Sequence, residues 1–336
     1  MKQDDPTASG RKRRDRSRGS AAGKQLNATD SLAEAFDALR PLMFSIAYRM
    51  LGTVSEAEDV VQEAFLRYKR ALDAGALVES TKAYLSAVVT RLAIDELRSA
   101  RMRRESYVGQ WLPEPVLTDE SEGDPVAHAE QSDSLSMAFL VLLERLTPVE
   151  RAVFLLHDVF GYEYNEVAGI VEKSETNCRQ LAARARRHLE AEKPRFDVPR
   201  RKRDELGARF FAALSEGDVD GLVEMLAADA VVYGDGGGKA PQWTEPIAGA
   251  EKVAQLLANV GRGIRNFELS VELHEVNGQP GATVLDPDGK LVCVFAIDIA
   301  DGVVVTFRSI INPDKLHHIG PVASATELQR GQRSRR

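Results

Sequence analysis

The sequence predicts a multidomain protein in which two all-α units are followed by an α+β domain. Apolar residues recur at helical spacing over residues 29–106 and again over 135–194, and a segment rich in proline and acid separates the two stretches. Further along, short apolar runs bounded by glycine turns indicate strands. The length of 336 residues fits this division, because single cores rarely grow beyond about 250 residues.

Composition excludes several classes of protein. The chain has 43% hydrophobic and 28% charged residues, and no apolar run approaches the roughly 18 residues that suggest a membrane span. Its only cysteines, Cys178 and Cys293, lie far apart, so we expect a reducing cytoplasm, no disulfide framework and no metal site. We also expect no cofactor. The net charge of −7 argues against coating DNA by bulk charge, but local basic patches remain at 11–18 and 179–203.

The first all-α unit is predicted over 29–106, after a disordered basic tail at 1–28. Ser31–Glu34 and Ser55–Glu58 both have the capping-box form, Ser followed three residues later by Glu, so helices are expected to begin there. A third helix is expected from Thr81. The spacing therefore predicts a compact helical domain.

The second all-α unit is predicted over 135–194, beyond a linker at 107–134 that contains "WLPEPVLTDESEGDP". Thr147, Pro148 and Glu150 have the residue types of an N-cap, a first turn and a capping box. These signals predict that a helix of this unit begins at Pro148.

A helix-turn-helix is predicted near the end of this unit. Tyr164–Val171 supplies a short helix, Glu172–Ser174 a tight turn, and Ser174 an N-cap for a second helix in which Cys178 faces inward. Arginine and glutamine near the start of a second helix suit base edges in the major groove, although a solvated basic helix is the alternative. The candidate outward-facing residues are Thr176, Asn177, Arg179, Gln180 and Arg184.

The last domain is predicted over 205–316, after a basic linker at 195–204 and before a disordered tail at 317–336. Helical segments come first, and strands punctuated by Asp288-Gly289 and Asp301-Gly302 turns follow. Helices followed by a strand meander predict an α+β domain with a curved antiparallel sheet.

Long segments of both all-α units resemble one family. "RPLMFSIAYRMLGTVSEAEDVVQEAFLRYKRA" and "AYLSAVVTRLAIDELRSARMRR" are similar to region 2 of the extracytoplasmic-function (ECF) RNA polymerase sigma factors. "LERLTPVERAVFLLHDVFGYEYNEVAGIVEKSETNCRQLAARARRHL" is similar to region 4. The resemblance implies an alternative sigma factor that binds core polymerase, through the β′ clamp helices and the β subunit, and initiates transcription from promoter DNA.

The resemblance also implies roles for individual residues. Core polymerase is expected to bind Asp59, Gln62, Glu63 and Arg67. The minus-10 element is expected to be recognised by Lys82, Tyr84, Arg91, Asp95 and Arg98. The minus-35 element is expected to be recognised by the outward-facing residues of the helix-turn-helix.

Residues 205–316 resemble a SnoaL-like domain, a cone-shaped α+β fold related to ketosteroid isomerases. ECF sigma factors with this extension form a sigma-J-type subgroup, whose hallmarks are matched by "WLPEP", "DGGGK" and "NPDKL". In that subgroup the extension regulates the sigma regions of its own chain, through intramolecular contact. The implied regulatory residues are Trp111, Pro113, Asp235, Gly236, Gly237, Gly238, Lys239, Asn312, Pro313, Asp314 and Lys315.

Two alternatives stay open at the sequence level. The cone domain can bind a small ligand or act like an isomerase, with polar groups drawn from Tyr233, Asp235, His274 and Asp298. The helix-turn-helix can also serve a free-standing transcription regulator. We expect no enzyme, because the phosphodiester chemistry of a sigma factor's holoenzyme belongs to the polymerase.

Overall fold

The computed structural model describes residues 18–105, 107–119, 134–190 and 198–323. The first all-α unit consists of α1 (Arg18–Leu51), α2 (Val54–Asp73) and α3 (Thr81–Glu105). Apolar side chains at helical spacing, among them Met43, Val61 and Leu85, pack between the three helices.

The second all-α unit contains α4 (Met137–Leu143), α5 (Pro148–Phe154), a π-helical turn (Leu155–Val159), α6 (Tyr164–Val171) and α7 (Glu175–Glu190). The predicted start of α5 is confirmed, since the Thr147 side chain and Glu150 form a capping box with Pro148 in the first turn. Apolar residues of both all-α units belong to one continuous cluster, so the units share a core.

The C-terminal domain packs helices on one face of a six-stranded sheet. Its helices are α8 (Arg200–Glu216), α9 (Val219–Met225) and α10 (Ala250–Asn266), and a 3₁₀ turn covers Pro313–Lys315. Its strands are β1 (Leu226–Asp235), β2 (Ile247–Ala248), β3 (Ser270–Val276), β4 (Gln279–Leu285), β5 (Leu291–Ala300) and β6 (Val303–Ile310).

Alternate residues of β5 face opposite sides of the sheet, as strand geometry requires. Phe295 packs with the helices of the domain, whereas Val294 belongs to a second apolar cluster. That second cluster includes Leu112 of the linker and Met137 of α4. The sheet therefore rests on the linker and on the second all-α unit through the face that the helices leave open.

The prediction of an antiparallel sheet is wrong in one respect. The strand order is β2-β1-β6-β5-β4-β3, and β1 pairs with β6 in parallel while the other pairs are antiparallel. Between β1 and β6 the chain makes a long crossover that includes α10, which is what parallel pairing requires. The sheet is therefore mixed.

Three predicted boundaries also differ. Helix α1 begins at Arg18, ahead of both Ser31 and the predicted end of the tail at residue 28, in a stretch that includes good helix formers such as alanine, lysine and leucine. Helix α8 begins inside the predicted basic linker at 195–204. Val322 pairs with Leu291, so the domain continues into the predicted tail at 317–336. Residues 1–17, 106, 120–133, 191–197 and 324–336 lie outside the described part.

No helix in the described part of the chain is long and apolar enough to cross a membrane.

Candidate nucleic-acid interface and the junction between domains

The predicted helix-turn-helix is present in the geometry of α6 and α7. Helix α6 ends at Val171, and the next residue, Glu172, has a left-handed φ of 55° although it is not a glycine. Ser174 then accepts a hydrogen bond from the Asn177 N–H at 3.2 Å, as an N-cap does. Cys178 is fully buried against α6 and α5. These features fix α7 with one face in the core and the other in solvent.

The candidate side chains for base contact all lie on the outer face of α7. Arg179 forms an ion pair with Glu175, one turn earlier, and its guanidinium lies 4.5 Å from the centre of the Tyr164 ring. Arg184 pairs with the buried Glu150 at 3.4 Å. Arg179 can exchange its exposed partner Glu175 for DNA, and the exposed Arg184 side chain can reach DNA from beside its buried partner Glu150. The exposed members of the predicted set are Thr176, Asn177, Arg179, Gln180 and Arg184.

Both cysteines are packing residues in this structure. Cys178 and Cys293 lie in the apolar cores, and burial raises the pKa of both thiols. We expect Ellman's reagent to leave the native chain unmodified at pH 8 and to modify both thiols in denaturant, because the thiolate is the reactive form. Rapid modification of the native protein would contradict the packing role of Cys178.

The face of α3 that carries the predicted minus-10 residues lies against the second all-α unit. Arg91 donates from Nε to the Ile170 carbonyl and from Nη2 to the Gly169 carbonyl, both at 2.8 Å. It also pairs with Glu172 at 3.2 Å. Arg91, which is predicted to contact DNA, is therefore bound by the helix-turn-helix of the same chain.

Other residues of α3 extend this contact. Ser86 is hydrogen-bonded to the Tyr162 hydroxyl at 2.7 Å, and the Lys82 ammonium lies 5.6 Å from the centre of the same ring. Further along α3, a cleft of about 260 Å³ lies between this helix and α6. The charged residues that line the cleft are Arg91, Asp95, Arg98, Glu172 and Lys173. Of the predicted minus-10 set, Tyr84 is instead half-buried, with its ring 5.6 Å from that of Tyr68.

The predicted polymerase-binding residues lie on one exposed stripe of α2. Arg67 donates to Glu63 at 2.8 Å, and this hydrogen bond holds the pKa of the Glu63 carboxyl below its usual range. Leu66, on the same stripe, is 49% exposed. The stripe thus combines charged groups with an uncovered apolar side chain, a mixture that suits an interface. Its predicted members are Asp59, Gln62, Glu63 and Arg67.

A buried ion pair of the C-terminal domain is hydrogen-bonded to the linker. Asp235, at the end of β1, is 0% exposed, and its carboxylate lies 2.7 Å from Lys315 Nζ. The same carboxylate accepts hydrogen bonds from the Leu112 N–H at 2.8 Å and the Tyr107 hydroxyl at 2.5 Å. Asn312 donates to that hydroxyl at 2.9 Å. We call Tyr107, Leu112, Asp235, Asn312 and Lys315 the interdomain cluster.

The glycines of the "DGGGK" stretch permit this approach. Gly237 has a φ of 57°, and a Cβ atom there would overlap the Asn312 side-chain amide. Beside it, Lys239 forms an exposed ion pair with Asp314. The stretches "WLPEP", "DGGGK" and "NPDKL" therefore meet in space. The predicted residues Trp111, Pro113, Gly236, Gly238 and Pro313 belong to these stretches.

Trp111 connects the interdomain cluster to the first all-α unit. The Lys315 ammonium lies 4.5 Å from the centre of the Trp111 ring. The outer edge of that ring approaches Gly52, where a Cβ atom would lie 2.7 Å from Trp111 Cη2. Gly52 has a φ of 75° and lies between α1 and α2. The linker is thus held between the first all-α unit and the C-terminal domain.

The predicted capping box at Ser55 is wrong, because a distant residue caps α2. Helix α2 begins at Val54, and the buried Glu114 accepts hydrogen bonds from the Val54 N–H at 2.6 Å and the Ser55 N–H at 3.3 Å. A carboxylate at a helix N-terminus satisfies free N–H groups and complements the helix dipole. Glu114 lies within "WLPEP", but the sequence does not reveal this role, since nothing local links residues 60 apart.

The polar groups suggested for an enzyme pocket do not converge within the described residues. Asp235 belongs to the interdomain cluster, and His274 contacts Asp119 of the linker at 2.6 Å. Asp298 forms a buried ion pair with Arg308, whose guanidinium lies 5.8 Å from the Tyr233 ring. Two of the four groups therefore contact the linker.

Comparison with known proteins matches this architecture. Residues 35–103 match the family Sigma-70 region 2, and residues 136–189 match the family Sigma-70, region 4. The chain is 38% identical over 291 residues to the ECF RNA polymerase sigma factor SigJ of Mycobacterium tuberculosis, covering 83% of this chain and 91% of that protein. It is 31% identical over 289 residues to the probable ECF RNA polymerase sigma factor SigI of the same organism, covering 85% and 95%. The crystal structure of M. tuberculosis SigJ superposes with a TM-score of 0.69 at 35% identity, covering 87% of this chain and all of that one.

Proposed function

The chain belongs to the ECF RNA polymerase sigma factors, and from this premise we propose how its parts divide the work of promoter recognition and its control. Its family makes it a transcription initiation factor whose partners are core RNA polymerase and promoter DNA. Region 2 corresponds to the first all-α unit and region 4 to the second.

Region 4 would read the minus-35 element with α7. The exposed Arg179 and Gln180 lie in the first half of the helix, where side chains of a recognition helix reach base edges. Thr176, Asn177 and Arg184 flank them on the same face. Arg187, further along, is placed for a phosphate contact.

Region 2 would have two binding surfaces. The stripe of α2 with Asp59 and Glu63 would dock on the β′ clamp helices of the polymerase, and its charged and apolar character supports this assignment. The α3 residues Lys82, Arg91 and Arg98 would bind the minus-10 element, since cations and nearby aromatic rings suit a melted strand.

The C-terminal domain would control the sigma regions from within the chain. The observation that carries this proposal is that Arg91 contacts region 4 while the linker between regions 2 and 4 is held by the interdomain cluster. We call this the closed arrangement. A tethered domain acts at high effective concentration, so its contacts hold the closed arrangement without a separate inhibitor. Promoter binding would require its release.

Run-off transcription with purified core polymerase tests the proposal. The full chain and a chain that ends after residue 203 would be compared on promoters selected from a random library. Specific initiation that is stronger with the shortened chain supports control by the C-terminal domain. Equal initiation by both chains would contradict it.

A role for the C-terminal domain as an enzyme has less support. Asp235 and His274, two of its candidate groups, contact the linker. These contacts favour a domain that binds its own chain.

A further inference from the structure

Asn277 lies in a turn that is buried, although turns of its kind usually face solvent. It joins β3 to β4 in an Asn-Gly turn and has a left-handed φ of 52°. Its exposed fraction is 0%. A buried primary amide requires partners for two donors and an acceptor.

Those partners come from three separate elements of the sigma regions. Asn277 Nδ2 donates to the Tyr48 hydroxyl of α1 at 2.8 Å and to the Leu135 carbonyl, at the start of the region 4 unit, at 3.0 Å. Its Oδ1 accepts from the Val116 N–H of the linker at 2.9 Å. The Asn277 N–H also donates to the Val116 carbonyl at 2.8 Å. One residue of the C-terminal domain therefore contacts region 2, the linker and region 4.

The contact continues into the linker and α2. The Tyr48 hydroxyl donates to the Glu114 carbonyl at 2.6 Å, and the Glu114 side chain caps α2. Next to Asn277, the Thr118 N–H donates to the Glu275 carbonyl at 2.8 Å, and Leu117 pairs with Val276. The linker thus adds to the edge of the sheet as a short strand, a recurring way to bind an extended segment.

We propose that Asn277 is a latch that holds the linker against region 2 and region 4, at a place separate from the interdomain cluster. Regions 2 and 4 cannot separate with the linker docked unless the bonds of Asn277 to Tyr48, Val116 and Leu135 break. The latch therefore gives the closed arrangement a second point of control. This inference rests on the proposed control by the C-terminal domain.

Asn277→Gly in the full chain is the direct test. Glycine tolerates the left-handed backbone conformation of the turn but lacks the side-chain amide of Asn277. Asp301→Gly is the matched control, because Asp301 is a left-handed residue with a φ of 51° in the exposed turn between β5 and β6. We expect Asn277→Gly to speed hydrogen exchange at the Val116 and Thr118 amides at least about tenfold, as the loss of the three side-chain hydrogen bonds implies, and Asp301→Gly to leave it unchanged.

A second variant guards against a general loss of folding. Tyr48→Phe keeps the ring and removes the hydroxyl that joins Asn277 to Glu114. It should speed the same exchange, while amides within β5 stay protected in both variants. Unchanged exchange at Val116 and Thr118 in both variants would overturn the latch.

Run-off transcription separates failure of the latch from failure of the proposed control. We expect increased transcription from Asn277→Gly and from a variant of the interdomain cluster such as Lys315→Ala. An increase with Lys315→Ala alone would overturn the latch and leave the proposed control standing. No increase with either variant would overturn both.

Discussion

Lys315→Ala is expected to open the free protein and to increase its transcriptional activity. Lys315 Nζ lies 2.7 Å from the Asp235 carboxylate, and both side chains are buried. Removing one member of a buried pair leaves an uncompensated charge and typically costs about 3–5 kcal/mol. The closed arrangement would lose stability by that amount relative to an open one in which Asp235 meets water. The closed-to-open ratio would then fall by about two to four orders of magnitude.

Limited proteolysis of the linker and run-off transcription both report this change. Lys239→Ala is the matched control, because Lys239 also lies where the three motifs meet but forms an exposed ion pair. The side chains of Lys239 and its partner Asp314 are 55% and 56% exposed. An exposed pair contributes about 0–1 kcal/mol, so this variant should behave like the parent protein. Equal effects of Lys315→Ala and Lys239→Ala would contradict the role of the buried pair.

Arg179→Ala is expected to reduce initiation from the cognate promoter by about 5- to 150-fold, because a bidentate base contact contributes about 1–3 kcal/mol of discrimination. Arg179 is 59% exposed and is held in solvent-accessible contacts with Glu175 and Tyr164, so its loss should not affect folding. Binding to core polymerase should be unchanged, since the proposed docking stripe lies on α2.

Arg187→Ala provides the comparison for Arg179. Arg187 is also exposed on α7, but it lies a little over two turns further along, where a phosphate contact is expected. Its loss should weaken binding to all promoter sequences alike and lower the salt dependence by about one unit. If Arg179→Ala reduced core binding as much as initiation, the assignment of Arg179 to the minus-35 element would be wrong.

The elements that could be predicted from the sequence are those fixed by local interactions. The start of α5 follows from Thr147, Pro148 and Glu150, which lie within four residues of each other. The turn before α7 follows from Ser174, whose side chain caps the helix three residues on. Helical spacing of apolar residues then places Cys178 in the core. Local chemistry decided each of these positions.

The sequence could not predict the parts that depend on distant residues. Ser55 has a capping-box pattern as good as that of Thr147, but Glu114 caps α2 from the linker. Asn277 and Gly278 form the turn between β3 and β4, yet nothing near them in the sequence indicates partners on Tyr48 and Leu135. Such contacts arise only when the domains pack. The motifs "WLPEP", "DGGGK" and "NPDKL" indicated which surfaces meet, but they did not predict the buried ion pair of Asp235 with Lys315.

The distance between regions 2 and 4 in the free chain tests the central claim most directly. Spin labels would be placed at Leu77→Cys, in the loop between α2 and α3, and at Ala183→Cys on α7, both of which are exposed. The native Cys178 and Cys293 are buried and should stay unlabelled. Pulsed electron paramagnetic resonance should give one narrow distribution of the distance between the two labels in the free chain, and a longer distance when core polymerase is bound. The Lys315→Ala chain without polymerase should give a broad distribution. A broad distribution in the unaltered free chain, or the same narrow one in Lys315→Ala, would contradict the claim that the C-terminal domain holds the sigma regions closed.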